Sequence, residues 1–177
     1  MKFFIVGYPR SRTAWLANFM TDNGVFCYHE AIRGCADEQE YYSKIINNAE
    51  YPILGDSSSS APLMSIQVLF PKAPIVIIER DPEDVLKSLD NFFGRVTSQL
   101  PMLNMLKTKI DSLVGLRVKF DEIDDRLEEI WNYCLGGYIP FDSKRADMLK
   151  NFNVSIKMPE YEEKDLTLIK RLLSCHG

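Results

Sequence analysis

Phe3-Phe4-Ile5-Val6-Gly7-Tyr8-Pro9-Arg10-Ser11-Arg12-Thr13-Ala14-Trp15 is the stretch whose reading decides the fold. Its first four residues form an unbroken apolar run that stops at Gly7. A run apolar at every position suits a strand covered on both faces, as in a parallel sheet. Turn residues and two arginines follow. A helix-compatible segment then runs over residues 11–20, carrying Ala14, Trp15, Leu16 and Phe19. The first N–H groups of a helix have no partner and lie at the positive end of its dipole, so a turn placed there suits an anion. Ser11 and Thr13 add hydroxyl donors. Arg10 and Arg12 add permanent charge in a forked shape that matches phosphate oxygens. The Gly-Lys-Ser/Thr ending of a Walker A loop is missing, and Arg12-Thr13-Ala14 stands in its place. ATP or GTP hydrolysis thereby loses its usual parts.

Outward from this stretch, strand and helix signals alternate. Val25 to Tyr28 reads as a second strand, and Tyr51 to Leu54 as a third that Gly55 stops. Ile75 to Ile78 is a fourth: four β-branched residues bounded by Pro74 and Arg80. Val118 to Phe120 is a short fifth. Helical segments are expected at 37–49, Ser59 to Phe70, 97–113, around Leu127, Ile130, Trp131 and Leu135, from Asp142, and at 160–173. Asp81-Pro82 opens another, with Asp81 as cap and Pro82 in the first turn. Such alternation implies right-handed βαβ units. The expected fold is α/β: a three-layer P-loop-type parallel sheet with helices on both faces and a mostly helical C-terminal half. One domain spans residues 1–177. Ligands of such sheets sit beyond the carboxyl ends of the strands. Those ends are Gly7–Thr13, His29–Glu30, Gly55–Ser58 and Arg80–Ser88.

The chain has 177 residues, 46% of them hydrophobic and 26% charged, with a formal net charge of −4. That balance gives no general pull toward nucleic acid or an anionic membrane. The spacing of Cys27, Cys35, Cys134 and Cys175 fits neither a zinc motif nor a CxxC pair, which points to free thiols in a reducing compartment. The apolar run before Pro9 is too short for a signal segment or a membrane span. The expectation is a cytoplasmic monomer or homodimer that engages neither membrane nor nucleic acid.

Pro9-Arg10-Ser11-Arg12-Thr13-Ala14-Trp15 resembles the 5′-phosphosulfate loop of the sulfotransferases, Pro-Lys/Arg-Ser-Gly-Thr-Thr. Arg12 replaces the usual glycine, and Ala14 a hydroxyl residue. Arg80-Asp81-Pro82-Glu83-Asp84-Val85-Leu86-Lys87-Ser88 is similar to the same family's 3′-phosphate segment, with the same offset between arginine and serine. The two motifs lie in the first half of the chain, and the family's late Arg-Lys-Gly segment is absent. The resemblance implies 3′-phosphoadenosine 5′-phosphosulfate (PAPS) as donor, its desulfated form (PAP) as product, and no required metal. It implies donor contacts from Pro9, Arg10, Ser11, Arg12, Thr13, Ala14, Trp15, Arg80 and Ser88, with Arg10 as a fixed charge on the leaving phosphate. The acceptor would be small or a carbohydrate, and would offer a hydroxyl or an amine. A carboxylate at the second strand end is the family's usual base. Glu30 looks similar and is preferred to His29; neighbouring strand residues face opposite ways, so only one of them serves. Asp56 and Ser57 would line the acceptor side.

The residues also carry plainer readings. Trp15 and Trp131 fit the core, Asp56 or one of the serines after it equally fits a helix cap ahead of Ala61-Pro62, and Arg145 reaches either a ligand anion or solvent. Two other functions share these features: a P-loop small-molecule kinase, which would need magnesium and a nucleoside triphosphate, and a non-catalytic nucleotide-binding protein of the same fold.

Overall fold

A computed structural model describes residues 1–47, 50–93, 100–152 and 167–174. Five strands, β1 (Lys2–Gly7), β2 (Val25–His29), β3 (Ile53–Ser58), β4 (Ile75–Glu79) and β5 (Leu116–Lys119), form one sheet. Their order is β2-β3-β1-β4-β5, and every pair is parallel. From β1 the chain goes to the edge strand β2, returns to β3 beside β1, and then crosses to β4 and β5 on the other side. The carboxyl end of β1 is therefore the switch point where such sheets bind ligands.

The apolar runs are explained by cover on both faces. Phe3 and Ile5 point to one face with Val76, Ile78 and Val118. There they meet α1 (Thr13–Met20), α6 (Leu127–Leu135) and α7 (Ser143–Lys150) through Leu16, Phe19, Ile130, Trp131 and Ala146. Phe4, Val6, Ile75 and Ile77 point to the other. Their cover comes from α2 (Glu38–Ile46), α3 (Ile66–Leu69), α4 (Pro82–Phe93), α5 (Leu100–Asp111) and α8 (Thr167–Ser174). A fully buried side chain of this kind contributes about 1.5–3 kcal/mol. Exposed ion pairs such as Lys87–Asp84 add about 0–1 kcal/mol. The two apolar layers therefore carry the stability.

The third strand corrects the sequence reading. It continues through Gly55 to Ser58, paired with β1 on one side and β2 on the other. Gly55 reads as a stop but is a packing requirement: a Cβ there would lie 2.2 Å from the Phe3 ring. Asp56, Ser57 and Ser58 are fully buried strand residues, so the helix-cap reading of Asp56 is also corrected. Ser58 takes that part, accepting at Oγ from the N–H groups of Ser60 and Ala61, both at 3.0 Å. Ser59 to Phe70 is not one helix. Ser65, at φ 49°, divides a 3-10 turn (Ala61–Met64) from α3.

Other elements follow their local chemistry. Asp37 accepts from Glu40 N at 2.8 Å and starts α2. Asp81 accepts from Glu83 N at 2.7 Å ahead of Pro82. Arg145 is engaged with the fold: its guanidinium donates to the carbonyls of Phe19 (2.8 Å), Asn18 (3.2 Å) and Thr21 (2.7 Å) at the end of α1. It thus supplies the partners that the last turn of a helix lacks. Cys27, Cys35 and Cys134 are free and buried. Cys175 lies outside the described residues. Among the described residues, no helix is long and apolar enough to cross a membrane, and no cluster of three or more metal-ligating side chains forms.

Candidate functional site

The loop between β1 and α1 turns tightly, with Ser11 N donating to the carbonyl of Tyr8 at 3.2 Å. Arg10 and Arg12 take left-handed backbone angles, φ 67° and 60°. For a residue with a Cβ this costs roughly 1–2 kcal/mol, and such strain gathers where a ligand is clamped. Arg12 shows why glycine suits its position. Its side chain leaves the loop, stacks 4.3 Å from the Trp15 ring centroid and pairs with Asp124 at 2.9 Å. Trp15 is 6% exposed, stacks on Phe19 and donates from Nε1 to Leu149 O at 3.1 Å. The Ser11 hydroxyl is buried and has no hydrogen-bond partner among the described residues. It therefore keeps a donor for an anion seated in the loop. Pro9 and Ala14 are half-buried beside it.

The second segment meets this loop. Arg80, at the end of β4, donates to the carbonyl of Arg10, and its guanidinium lies 4.1 Å from the ring centroid of Phe120. Arg10 Nε donates to Ser88 Oγ at 3.3 Å. An open cleft of about 400 Å³ is lined by Arg10, Arg80, Asp84, Lys87, Ser88 and Asn91. Three cations and one carboxylate thus face one space, so its balance favours an anion. Asp84, Lys87, Ser88 and Asn91 share one face of α4 at spacings of three and four residues. Lys87 and Asn91 were readable from that spacing, although neither was singled out.

A polar weld joins the loop to the ends of β2 and β3. Ser57 Oγ donates to Thr13 O at 2.7 Å. His29 Nε2 lies 3.4 Å from Thr13 Oγ1. His29 is half-buried, and burial moves its pKa below the ordinary imidazole value. Glu30 differs. It is 4% exposed, and its carboxylate accepts from Ser58 Oγ (2.8 Å), Ser59 N (2.8 Å) and Ser59 Oγ (2.6 Å). Burial pushes Glu30 up, but Arg33, the Ser59 donors and His29 outweigh it and leave the group below the ordinary carboxylate value. Glu30 also holds a left-handed backbone at φ 57°. Asp56 accepts from Ala31 N at 3.0 Å and from the Tyr41 hydroxyl at 3.1 Å. Burial raises it to about 7.

The structure therefore brings Arg10, Arg80 and Ser88 to one cleft, and Thr13, His29 and Ser57 to one junction. Glu30 and Asp56 lie beneath that junction with their oxygens engaged. The arrangement can hold an extended anion along the carboxyl ends of β1 and β4 and offer a neutral imidazole beside it.

A layered parallel sheet of this order, flanked by helices on both sides, is the P-loop-type fold of the sulfotransferases. The crystal structure of mouse sulfotransferase SULT7A1 complexed with PAP is similar, with a TM-score of 0.54 and 14% sequence identity. The match covers 84% of this chain and 63% of that one, so the chain spans less than two thirds of that protein's length. No protein-family profile matches the sequence, and no curated protein does. The likeness is one of fold.

Proposed function

We propose that this protein binds PAPS and transfers its sulfuryl group to a hydroxyl or amine of a small or carbohydrate acceptor. The observation that carries the reading is the meeting of two segments seventy residues apart on one cationic cleft, where Arg10, Arg80, Lys87 and Ser88 face one another. The buried, unpartnered Ser11 hydroxyl fits an anion in the loop above that cleft. When bound, PAPS supplies an activated sulfuryl group on a phosphate leaving group.

The chain's own contribution is positioning and charge. Arg10 and the N–H groups at the start of α1 hold negative charge on the leaving side. Arginine keeps its proton, so Arg10 acts as a fixed cation. Arg80, Lys87 and Ser88 anchor the far end of the donor. His29 takes the proton from the acceptor, a role its lowered pKa suits because the ring is then neutral near pH 7. Glu30, preferred on resemblance, is committed to Ser58 and Ser59 and serves instead to shape the end of β2. The rate should rise with pH through the lowered His29 pKa and stay flat at neutral pH. His29→Asn should lower kcat by roughly 10²–10⁴-fold.

The first test is thermal unfolding with PAP against ATP plus magnesium. At a hundred times its Kd, a ligand stabilises the fold by about 2.7 kcal/mol. A rise with PAP alone supports the donor reading, and a rise only with ATP and magnesium overturns it. The engagement of Glu30 favours one second reading, a protein that holds the nucleotide without turnover. PAP binding with no sulfated product across hydroxyl and amine acceptors would establish that reading.

A further inference from the structure

Asp56 is fully buried on β3, two residues before the strand ends, and is not used by the chemistry above. Its two oxygens go to different places. Oδ1 accepts from the amide of Ala31, just beyond His29 and Glu30, and Oδ2 accepts from the hydroxyl of Tyr41 on α2, also fully buried. The turn after β2 is gripped from its other side as well. Lys44 Nζ donates to the carbonyls of Ala31 (2.8 Å) and Arg33 (3.2 Å), and Cys35 Sγ to Ala31 O at 3.4 Å. Of these grips, only that of Asp56 reaches the turn from the sheet interior through an ionisable group with no surface exposure.

We infer that Asp56 and Tyr41 form a buried, proton-dependent clasp that positions the turn directly after His29. Asp56 is thus a positioning residue, and acts through Ala31 rather than on a ligand. The groups facing it are Tyr41 and Lys44 from α2, Glu30 and Cys35 from the turn, and Cys27 from β2. Of these, Glu30 opposes ionisation of Asp56, while Lys44 and the Tyr41 hydroxyl favour it. Burial exceeds both, so the closed turn holds Asp56 as a neutral acid up to about pH 7. An opened turn wets the carboxyl and lets it ionise near its ordinary value. Opening therefore becomes about tenfold more favourable per pH unit between roughly pH 4 and 7, and levels off above. The catalytic meaning of the clasp rests on the sulfuryl-transfer reading through His29, whereas the clasp itself does not.

Hydrogen exchange of the Ala31 amide, measured without ligand, tests it directly. In the wild type, protection should fall about tenfold per unit from roughly pH 5 to 6.5 and level above about 7. In Asp56→Asn that fall should be absent, leaving only the rise with pH that His29 gives below its ordinary value. Tyr41→Phe removes a donor from the carboxylate, so its levelling point should move to higher pH. The same pH dependence in Asp56→Asn as in the wild type, or none in the wild type, overturns the clasp. If Asp56→Asn does not fold, Tyr41→Phe decides: a levelling point that stays where it is overturns the clasp. PAP binding by the same samples is read separately. A clasp confirmed in a protein that does not bind PAP would leave the inference standing and remove the donor reading.

Discussion

The two sides of the site are built on opposite plans. At the cleft between β1 and β4, Arg10, Arg80, Lys87 and Ser88 face an open space. Arg80 donates to the Arg10 carbonyl, while the side-chain contacts from Arg10 to Ser88, 3.3 Å, and from Lys87 to the neighbouring Asp84, 3.4 Å, are long. At the ends of β2 and β3, Glu30, Asp56, Ser57, Ser58 and Ser59 are buried, and each oxygen has a protein partner. Charge in an open cleft can serve a ligand, whereas the same charge enclosed by donors serves the fold. The difference teaches that a carboxylate at a strand end is no guide to chemistry until its hydrogen bonds have been traced.

The sharpest way to break this comparison is Arg10→Ala. On the open side it should lower kcat/KM on the order of 10²–10³-fold, while leaving the free energy of urea unfolding within about 0.5 kcal/mol of the wild type. A large loss of stability would show that the cleft is structural too. On the closed side the pattern reverses. Glu30→Ala strands three donors and removes a buried charge, so chemical denaturation should show a loss of about 3 kcal/mol. A stable Glu30→Ala protein without activity would return Glu30 to the role of base.

Acid–base behaviour sharpens the contrast within the closed side. Glu30 lies below its ordinary value, so its stabilisation is present above about pH 4.5 and lost as the pH falls through the folded value. Asp56 is raised from 3.8 to about 7, so the stability it supplies is full at low pH and lost as the pH climbs toward about 7. His29, lowered, adds stability with rising pH up to its ordinary value and partly masks that fall. The difference between Asp56→Asn and the wild type isolates the Asp56 effect. It should grow in favour of Asp56→Asn by up to about 4 kcal/mol from pH 4 to 7. The smallest effect is expected at Arg12→Gly. Relief of the left-handed backbone, about 1–2 kcal/mol, is offset by glycine entropy and by loss of the exposed Asp124 pair. The melting temperature should move by only a few degrees, corresponding to about 1 kcal/mol.

What was readable in the sequence follows the same division. β1, β4, the loop between β1 and α1 and the start of α4 announce themselves because their signals are local: apolar runs, a cap, and donors packed into a few residues. The extent of β3 was hidden. Gly55-Asp56-Ser57-Ser58 has the composition of a turn, and only the Phe3 ring and the strands on either side make it sheet. The roles of Glu30 and Asp56 depend on Ser58, Ser59 and Tyr41, partners that no spacing rule brings together. Arg145 was illegible for the same reason, since its carbonyl partners lie more than a hundred residues away.

The strand order also governs when the sheet can exist. β1 and β2 share no hydrogen bond, because β3 is inserted between them. When synthesis has reached only Pro52, β1 and β2 are present without the strand that joins them. Pairing begins when Ile53–Ser58 arrives and joins both neighbours at once. The non-local contacts needed for this make parallel sheets slow to form. During synthesis, the apolar strand of residues 2–7 must therefore wait, uncovered, for a partner encoded some fifty residues later.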